Sequence, residues 1–355
     1  MAFTKHFDKE KYAKEQQERM KEIQERIKNI GQNFEMNPDL ISEYYEFASQ
    51  FYNYSPNNIK LILSQNPYAT FIGSFKSYKD KGYSVKKGEQ GLNILVPVTV
   101  TLFQSNGKWV KLSEASPSQK KQIKNHEIET ETVQRFKIGT VFDISQTTIP
   151  EEMYPQFFNK GYPSQQHAAV YESVKEYCEK ELHCPVNVTD LHSISLNGHY
   201  IPSKHIIELN NRLDDSRRLE ILLHEMSHAI LHRDQKENSN KFIQQIEFEA
   251  DSLAIMMQNK FGFELSDNGK HHLSQQFKAL SQSKDFNFDD ILKNVSEYFK
   301  DHIDPLTNYV ESNLQLQENQ SLNPSHPNKN VIQEYCQSIT SGKSPERNRE
   351  QELAF

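Results

Sequence analysis

Residues 219–232 read LEILLHEMSHAILH, and this stretch decides the fold of the second half of the chain. Within it, His224, Glu225 and His228 form an HExxH pattern. Apolar residues recur around them at helical spacing, which predicts an amphipathic helix over about residues 216–232. Histidines four residues apart share one face of such a helix and can bind one zinc ion from the same side.

Glu225 follows the first histidine and is rotated about 100° around the helix axis, so it is not predicted to bind the metal itself. Its carboxylate can instead hold a metal-bound water and accept a proton from it. Zinc lowers the pKa of such a water toward about 7, which makes this pattern typical of zinc peptidases. Glu225 is therefore the candidate catalytic base of a site for one Zn²⁺ ion.

A third ligand has to come from another segment. Metallopeptidases with a third histidine would need His at position 234 and Gly at 231, but the chain has Asp234 and Leu231. A second helical pattern over about residues 240–258 carries Glu247 and Asp251 at ExxxD spacing. This spacing predicts Glu247 as the third ligand of a gluzincin-type site, with Asp251 accepting a hydrogen bond from a ligand histidine.

Glu249 is the competing candidate for the third ligand. It lies about 200° around the helix axis from Glu247, so only one of the two can reach the metal, and this geometry favours Glu247. Glu249 is then expected near the site without binding the ion. His232 lies four residues after His228 and is interpreted as an ordinary histidine at the helix end rather than as a partner of the ligands.

Composition indicates a globular protein with polar ends. Hydrophobic residues make up 35% of the 355 residues, and the deficit lies mostly at both ends, so the middle can bury a core. No run approaches the roughly 20 apolar residues of a membrane helix, and the first residues lack the apolar part of a signal peptide. The three cysteines form no CxxC pair. We therefore expect a cytoplasmic protein without a membrane partner.

Changes of pattern along the chain predict four parts. Residues 1–34 are expected to be a charged amphipathic helix that closes at Gly31, and residues 35–150 a domain of helices and antiparallel strands. Residues 151–312 hold the metal motif, whereas residues 313–355 are polar and predicted to be flexible. The fold class is thus α+β, with a mixed helix and antiparallel-sheet domain followed by a zincin-like domain of the gluzincin type.

Residues 51–96 interleave eight aromatic residues with lysines. Within residues 57–88, six lysines against the single Asp80 give a charge of about +5, inside a chain whose formal net charge is −7. Aromatic faces can stack on exposed bases and lysines can follow phosphates, which favours binding of single-stranded nucleic acid. Alternatively, the aromatic residues fill the core of the domain and the lysines are solvated. The residues themselves leave both interpretations open.

Three sequence blocks in the first half resemble the N-terminal domain of ArdC-type antirestriction proteins. They are YSPNN at residues 54–58, VKKGE at residues 85–89 and VFDI at residues 141–144. Tyr78 stands where the family usually has tryptophan. The resemblance implies a domain that binds single-stranded DNA. With the basic aromatic segment, it assigns DNA contacts to Tyr52, Tyr54, Asn58, Lys76, Tyr78, Lys79, Lys86 and Lys87.

The second half carries HEMSH at residues 224–228 and EFEAD at residues 247–251. These motifs resemble the ImmA/IrrE-like metallopeptidase domain that the same family carries. The resemblance covers about residues 40–300 and leaves both ends outside. Such proteins are encoded on plasmids or other mobile elements and are thought to shield incoming DNA from restriction after conjugation, which is the function that the resemblance implies.

Three functions remain open on the sequence. The chain could protect entering single strands by binding them, with zinc as an accessory element. It could be a zinc metalloprotease that cleaves a regulator or a host-defence component, so that a protein or peptide is its substrate. Its metal domain could also be an inactive module that binds a partner, but an intact Glu225 argues against this third function.

Overall fold

The computed structural model describes residues 9–321 apart from residues 158–160, 194, 235–237, 239–240, 264, 266 and 284–285. In chain order its elements are α1 (Lys9–Met36), α2 (Leu40–Gln50), α3 (Pro56–Gln65), β1 (Ile72–Ser74), α4 (Phe75–Asp80), β2 (Leu92–Ser105), β3 (Lys108–Lys111), α5 (Pro117–Lys124), β4 (Thr130–Asp143), α6 (His167–Lys180), β5 (Val186–Thr189), β6 (Gly198–Ile201), β7 (Ile206–Asn210), α7 (Asp215–Leu231), α8 (Ile243–Lys260), α9 (Asp267–Leu280) and α10 (Phe288–Ser321). This mixture confirms the α+β class.

The first sheet lies in the N-terminal half and is antiparallel, with the strand order β1–β4–β2–β3. Strands β2 and β4 pair from Leu92 opposite Val141 to Phe103 opposite Thr130. Pro97 lies in the part of β2 that β3 does not reach, where a strand tolerates a residue without a backbone N–H. Strand β1 pairs only with one end of β4 and β3 only with the far end of β2, so between these ends β2 and β4 form a long two-stranded ribbon.

The second sheet has the order β5–β7–β6, with β5 parallel and β6 antiparallel to β7. Helix α7, which carries the HExxH pattern, packs against β6 and β7 and also against α6 and α8. The Asp214 side chain accepts a hydrogen bond of 2.9 Å from the Arg217 backbone N–H, which satisfies a free donor at the start of α7. Helix α7 therefore lies between the second sheet and two helices.

The two halves share one hydrophobic core. Helix α2 packs against α8, and the ring centroids of Tyr45 and Phe248 are 6.5 Å apart in an edge-to-face contact. Phe34 of α1 meets Phe288 of α10 in the same way at 5.6 Å. Helix α8 is thus supported from behind by the N-terminal half. The division into domains at residue 150 stays a prediction, and no helix of the described residues has the length and apolarity to cross a bilayer.

Helix α1 does not close at Gly31. It continues to Met36, and Phe34 beyond the glycine is 2% exposed within the core. A glycine inside a helix costs about 1 kcal/mol relative to alanine, and burial of a phenylalanine ring is worth more, about 1.5–3 kcal/mol. The predicted helix end was wrong because packing outweighs the local preference.

Helix α10 ends neither at its internal proline nor at the predicted start of the tail. It runs through Pro305 to Ser321, so it extends into the tail that was predicted to be flexible from residue 313. Ile303, Leu306 and Val310 lie on its buried face, and their packing outweighs the hydrogen bond that a proline removes. Residues 322–355 and residues 1–8 lie outside the described part, so the predictions for them stay untested.

Lys60, one of the six lysines counted in residues 57–88, is buried and does not add to an exposed basic surface. Its side chain is 2% exposed, and its Nζ lies 2.6 Å from Oδ1 of Asp289 on α10. A buried ammonium is tolerated only where an acceptor compensates for its lost hydration, so this ion pair is the reason that Lys60 can lie in the core. The contact joins α3 of the N-terminal half to α10.

Asp289→Asn should lower the free energy of unfolding by about 1–3 kcal/mol, since the Lys60 ammonium would keep only a neutral acceptor. Chemical denaturation followed by circular dichroism measures this. Asp301→Asn is the matched control, because Asp301 is exposed on the same helix without an ion pair in the described structure; it should change stability by less than about 0.5 kcal/mol. Equal stability of all three proteins would contradict the prediction.

Candidate metal centre

Helices α7 and α8 bring three metal-binding side chains to one point. His224 and His228, one turn apart on α7, face Glu247 on α8. The Nε2 atoms of His224 and His228 lie 3.8 and 3.6 Å from Oε2 of Glu247. In the described part of the chain, this is the one group of three His, Cys, Asp or Glu residues whose donor atoms all lie within 4.8 Å of one another.

These distances fit one tetrahedral ion. Zinc bonds of about 2.0–2.2 Å place neighbouring donor atoms about 3.4 Å apart, close to the separations found here. The side chain of Glu247 is 42% exposed, so the site opens to solvent and leaves room for a fourth ligand such as water. Two imidazoles with one carboxylate are a donor set of catalytic zinc sites. The assignment of zinc, as of each ligand, stays a prediction.

Each of the two histidines is oriented by a hydrogen bond at its other ring nitrogen. Nδ1 of His224 lies 2.9 Å from Oδ1 of Asp251, four residues after Glu247 on α8. Nδ1 of His228 lies 3.1 Å from Nδ1 of His232. A ring that donates through Nδ1–H keeps the lone pair on Nε2, which is the atom directed at Glu247. Both imidazoles therefore present the nitrogen that a metal needs.

His232 continues this arrangement into the core. Its Nε2 lies 3.0 Å from Oε2 of Glu249, so the ring can donate there and accept from His228 at Nδ1. Burial, the largest influence, lowers the pKa of His232, although its hydrogen bond with Glu249 opposes this. The lowered pKa favours the neutral form of His232, and only the neutral ring can accept the hydrogen bond from His228 at Nδ1. Glu249 thus supports His228 through His232.

The geometry favours Glu247 over Glu249 as the third ligand. Glu249 is 4% exposed and accepts further hydrogen bonds from Lys241 Nζ at 2.7 Å and from Gln245 at 2.8 Å. The interpretation of His232 as an ordinary helix-end residue was wrong. It ends α7, but it also joins a ligand candidate to a buried carboxylate, and its spacing of four residues from His228 was the signal that could have shown this.

Asp251 and His224 form a strongly coupled pair. Burial alone would lower the pKa of His224, but the hydrogen bond to Asp251 and the nearby carboxylates outweigh it and raise the pKa to about 9. Burial acts to raise the pKa of Asp251, yet its hydrogen bonds with His224 and His272 hold that pKa well below the usual range. Metal binding at His224 therefore has to displace a proton, as is general for histidine ligands.

Glu225 lies at the site without being one of the three donors. It is 6% exposed, and burial, the largest influence, raises the pKa of its carboxyl group, whereas His224 and His228 act to lower it. The backbone N–H of Tyr200 on β6 is near enough to this carboxylate to act against the rise in its pKa. A buried carboxylate with a raised pKa is a stronger proton acceptor, which suits the predicted role of a base.

His272 on α9 is a site residue that the sequence did not reveal. Its Nδ1 lies 3.4 Å from Oδ2 of Asp251, so Asp251 contacts two imidazoles. The hydrogen bond to Asp251 raises the pKa of His272. No spacing relates His272 to the HExxH pattern, because the contact arises only where α9 packs against α8.

Two of the eight residues predicted to contact DNA are buried, so the prediction was wrong for them. Tyr78 is 1% exposed, and its hydroxyl donates to the carbonyl oxygens of Phe71 and Phe142 at 3.3 and 3.1 Å. Asn58 is buried and exchanges two hydrogen bonds with the backbone of Leu95. Both side chains hold elements of the domain together and are not free to meet a ligand.

The other six predicted DNA contacts are two tyrosines and four lysines, and the two tyrosines do not form an exposed stacking surface. Tyr52 and Tyr54 are partly buried, and the Tyr52 hydroxyl donates to Oδ1 of Asp304 at 2.6 Å. The four lysines are exposed: Lys76, Lys79, Lys86 and Lys87. Lys86 Nζ also donates a hydrogen bond of 2.9 Å to the carbonyl oxygen of Ser145. The lysines remain candidates for phosphate contacts, whereas Tyr78 is buried and Tyr52 and Tyr54 pack against the hydrophobic core.

Metal affinity should separate the roles of the two glutamates on α8. Glu249→Gln keeps an acceptor for His232 and should weaken metal binding by about 10–100-fold at most, the usual effect of changing a group that orients a ligand. Glu247→Gln should weaken it further, because a neutral amide replaces a charged donor. Titration with Zn²⁺ in competition with a chelator measures both. Stronger loss in Glu249→Gln than in Glu247→Gln would contradict the assignment.

Two family models match the chain. Residues 13–142 match the N-terminal domain of the anti-restriction factor ArdC, and residues 179–262 match the IrrE N-terminal-like domain. The second match contains all of α7 and α8, and hence the three donor residues. The order of the two matches confirms the resemblance that the sequence motifs indicated.

An uncharacterized protein of Bacillus anthracis is 29% identical over 262 residues, which make up 68% of this chain and 44% of that protein. The chain thus spans less than half the length of this curated relative. Crystal structures of the antirestriction ArdC protein from the R388 plasmid align at 14% identity. The metal-free form covers 73% of this chain and 86% of that one, with a TM-score of 0.42; the Mn(II)-bound form covers 72% and 85%, with a TM-score of 0.40. The chain therefore combines a segment that matches the N-terminal domain of the anti-restriction factor ArdC with a later segment that matches the IrrE N-terminal-like domain.

Proposed function

We propose that this chain is an antirestriction protein of a mobile element that binds single-stranded DNA and protects incoming DNA during conjugation. The observation that supports this most directly is the match of residues 13–142 to the ArdC N-terminal domain. We further propose that the second domain carries a metallopeptidase-type site for one zinc ion. Its support is the convergence of His224, His228 and Glu247.

The site has the parts that peptide hydrolysis needs. His224, His228 and Glu247 would hold the ion, which when bound lowers the pKa of a water and polarises a carbonyl oxygen. The Glu225 carboxylate would take the proton of the attacking water and pass it to the leaving nitrogen. Asp251 and His232 would keep the two imidazoles in the tautomer that binds metal.

A second candidate function is an intracellular zinc metalloprotease that cleaves a regulatory or host-defence protein. The position of β6 favours it. This strand forms one edge of the second sheet and packs against α7, and the backbone N–H of Tyr200 within it is near enough to Glu225 to influence its pKa. An extended peptide that paired with this edge would run past the proposed base, which is a common way for a sheet to bind a peptide.

Glu225→Gln separates the two functions. If binding protects the DNA, this variant should retain protection, because the change removes a proton acceptor without touching the N-terminal domain. The measurement is transfer of an unmodified plasmid into a restricting recipient relative to a non-restricting one, with and without the protein. Glu220→Gln is the control, because Glu220 lies on the same helix outside the donor group and pairs with Arg217. Protection lost in Glu225→Gln alone would favour proteolysis, and no protection by the unaltered protein would contradict the proposal.

Binding of single-stranded oligonucleotides should weaken as salt is raised, with a slope of about −0.7 in log affinity against log salt for each phosphate contacted. The reason is the release of counterions when lysines meet phosphates. Competition between labelled single strands and unlabelled duplex gives the preference. Affinity that is independent of salt, or equal for the duplex, would contradict single-strand binding.

A further inference from the structure

Six of the eight aromatic residues in residues 51–96 are buried or partly buried, which raises the question of where bases could stack. Among the described residues of the N-terminal half, the large aromatic side chains that remain exposed are Tyr68, Phe75, Trp109 and Phe136. Trp109 and Phe136 lie on the ribbon of the first sheet, on β3 and β4. The predicted DNA contacts included neither of these two residues.

The ribbon extends away from the core. Strands β2 and β4 have 14 residues each, or about 46 Å at 3.3 Å per residue. Only their inner ends, near Leu92, Ile94 and Val141, belong to the hydrophobic core. Farther out, the two strands pair with each other alone until β3 joins at Leu102. The outer part of the ribbon is therefore a protruding arm.

One face of this arm is apolar and uncovered. Side chains alternate between faces along a strand, and residues paired across strands share a face. The pairing places Val98, Val100, Leu102, Val133 and Trp109 on one face, which we call the valine face. These residues are partly or fully exposed and pack against neither hydrophobic cluster of the described residues.

At the tip of the arm, the opposite face is covered by other residues. Phe103 is 1% exposed there, and Gln119 of α5 donates a hydrogen bond of 3.2 Å to Ser105. Phe136 lies on this same opposite face, farther in, beside Pro97. The segment with α5 thus covers one side of the tip, whereas no described residue provides an equivalent cover for the valine face.

Cations border the valine face. Lys137 is paired with Val96, Arg135 with Val98, and Lys111 with Leu102, so their side chains emerge on the same side as the apolar residues. All three are exposed and form no ion pair with any described residue. Glu131 is the one acidic residue paired onto this face. An apolar strip bordered by unpaired cations is complementary to a ligand with flat apolar faces and a chain of negative charges.

We propose that the valine face binds single-stranded DNA, with a base stacked on Trp109 and phosphates contacted by Lys111, Arg135 and Lys137. This rests on the proposed function and adds the location of the contact. Single strands expose the faces of their bases, whereas a duplex hides them within its stack. The aliphatic side chains of the valine face carry no hydrogen-bonding groups that could read a groove, so stacking is the contact that this surface offers.

Trp109 provides a direct test, because it is the single tryptophan of the chain. Addition of an unlabelled oligothymidylate to the full-length protein should change the tryptophan fluorescence, with the same concentration dependence as binding measured by anisotropy of a labelled strand. Binding without any change in fluorescence would show that the strand lies elsewhere. In that case the proposed function would stand and the location would be wrong.

Trp109→Ala should weaken binding of the labelled strand by about 5–150-fold, the range for loss of one stacked base. Phe136→Ala is the matched control, since it removes an exposed aromatic ring from the other face of the same ribbon; it should change affinity by less than twofold. Thermal unfolding by circular dichroism shows whether both variants keep the fold. Equal loss in the two variants, or none in Trp109→Ala, would overturn the proposal.

The double variant Arg135→Gln, Lys137→Gln should reduce the magnitude of the salt slope by about 1.4, because each of the two cations that meets a phosphate contributes about 0.7 to it. An unchanged slope would contradict the phosphate contacts. A fluorescence change that follows protein concentration, together with a dimeric mass in light scattering, would identify the valine face as an interface between two copies and overturn the proposal. No binding of any single strand by the unaltered protein would overturn the proposed function as well.

Discussion

The packing of α7 against α8 is the constraint on which the rest of the second domain depends. It brings two imidazole nitrogens and one carboxylate oxygen within 4.8 Å of one another at a point that opens to solvent. Helix α8 supplies Glu247 together with both orienting carboxylates, Glu249 and Asp251. Asp251 contacts His224 directly, whereas Glu249 acts on His228 through His232.

The N-terminal half contributes to this geometry without touching the site. Helix α2 packs on the far side of α8, where Ser49 donates a hydrogen bond of 2.6 Å to Asn259 and Tyr45 meets Phe248. Helix α10 contacts both α3 and α8. A shared core of this kind is close-packed, so a displacement of one half is transmitted to the other instead of being absorbed in a flexible joint.

The HExxH helix and the ExxxD spacing were visible in the sequence because both depend on helical period alone, and the helices lie within a few residues of the predicted bounds. The contact of His272 was not visible, since it requires the packing of α9. Tyr78 illustrates the opposite limit. Tyrosine suits a stacking surface and a core equally well, and only the carbonyl oxygens that accept its hydroxyl hydrogen distinguish the two.

The arrangement on α8 has a consequence for how such a chain can change in evolution. The segment between α7 and α8 carries His232 and Lys241, which contact Glu249, but loops generally accept insertions and deletions away from such contacts. Within residues 247–251, by contrast, a single inserted residue would rotate the following side chains by about 100°. Asp251 would then turn away from His224. Natural length variation should therefore accumulate before α8 and be purged inside it.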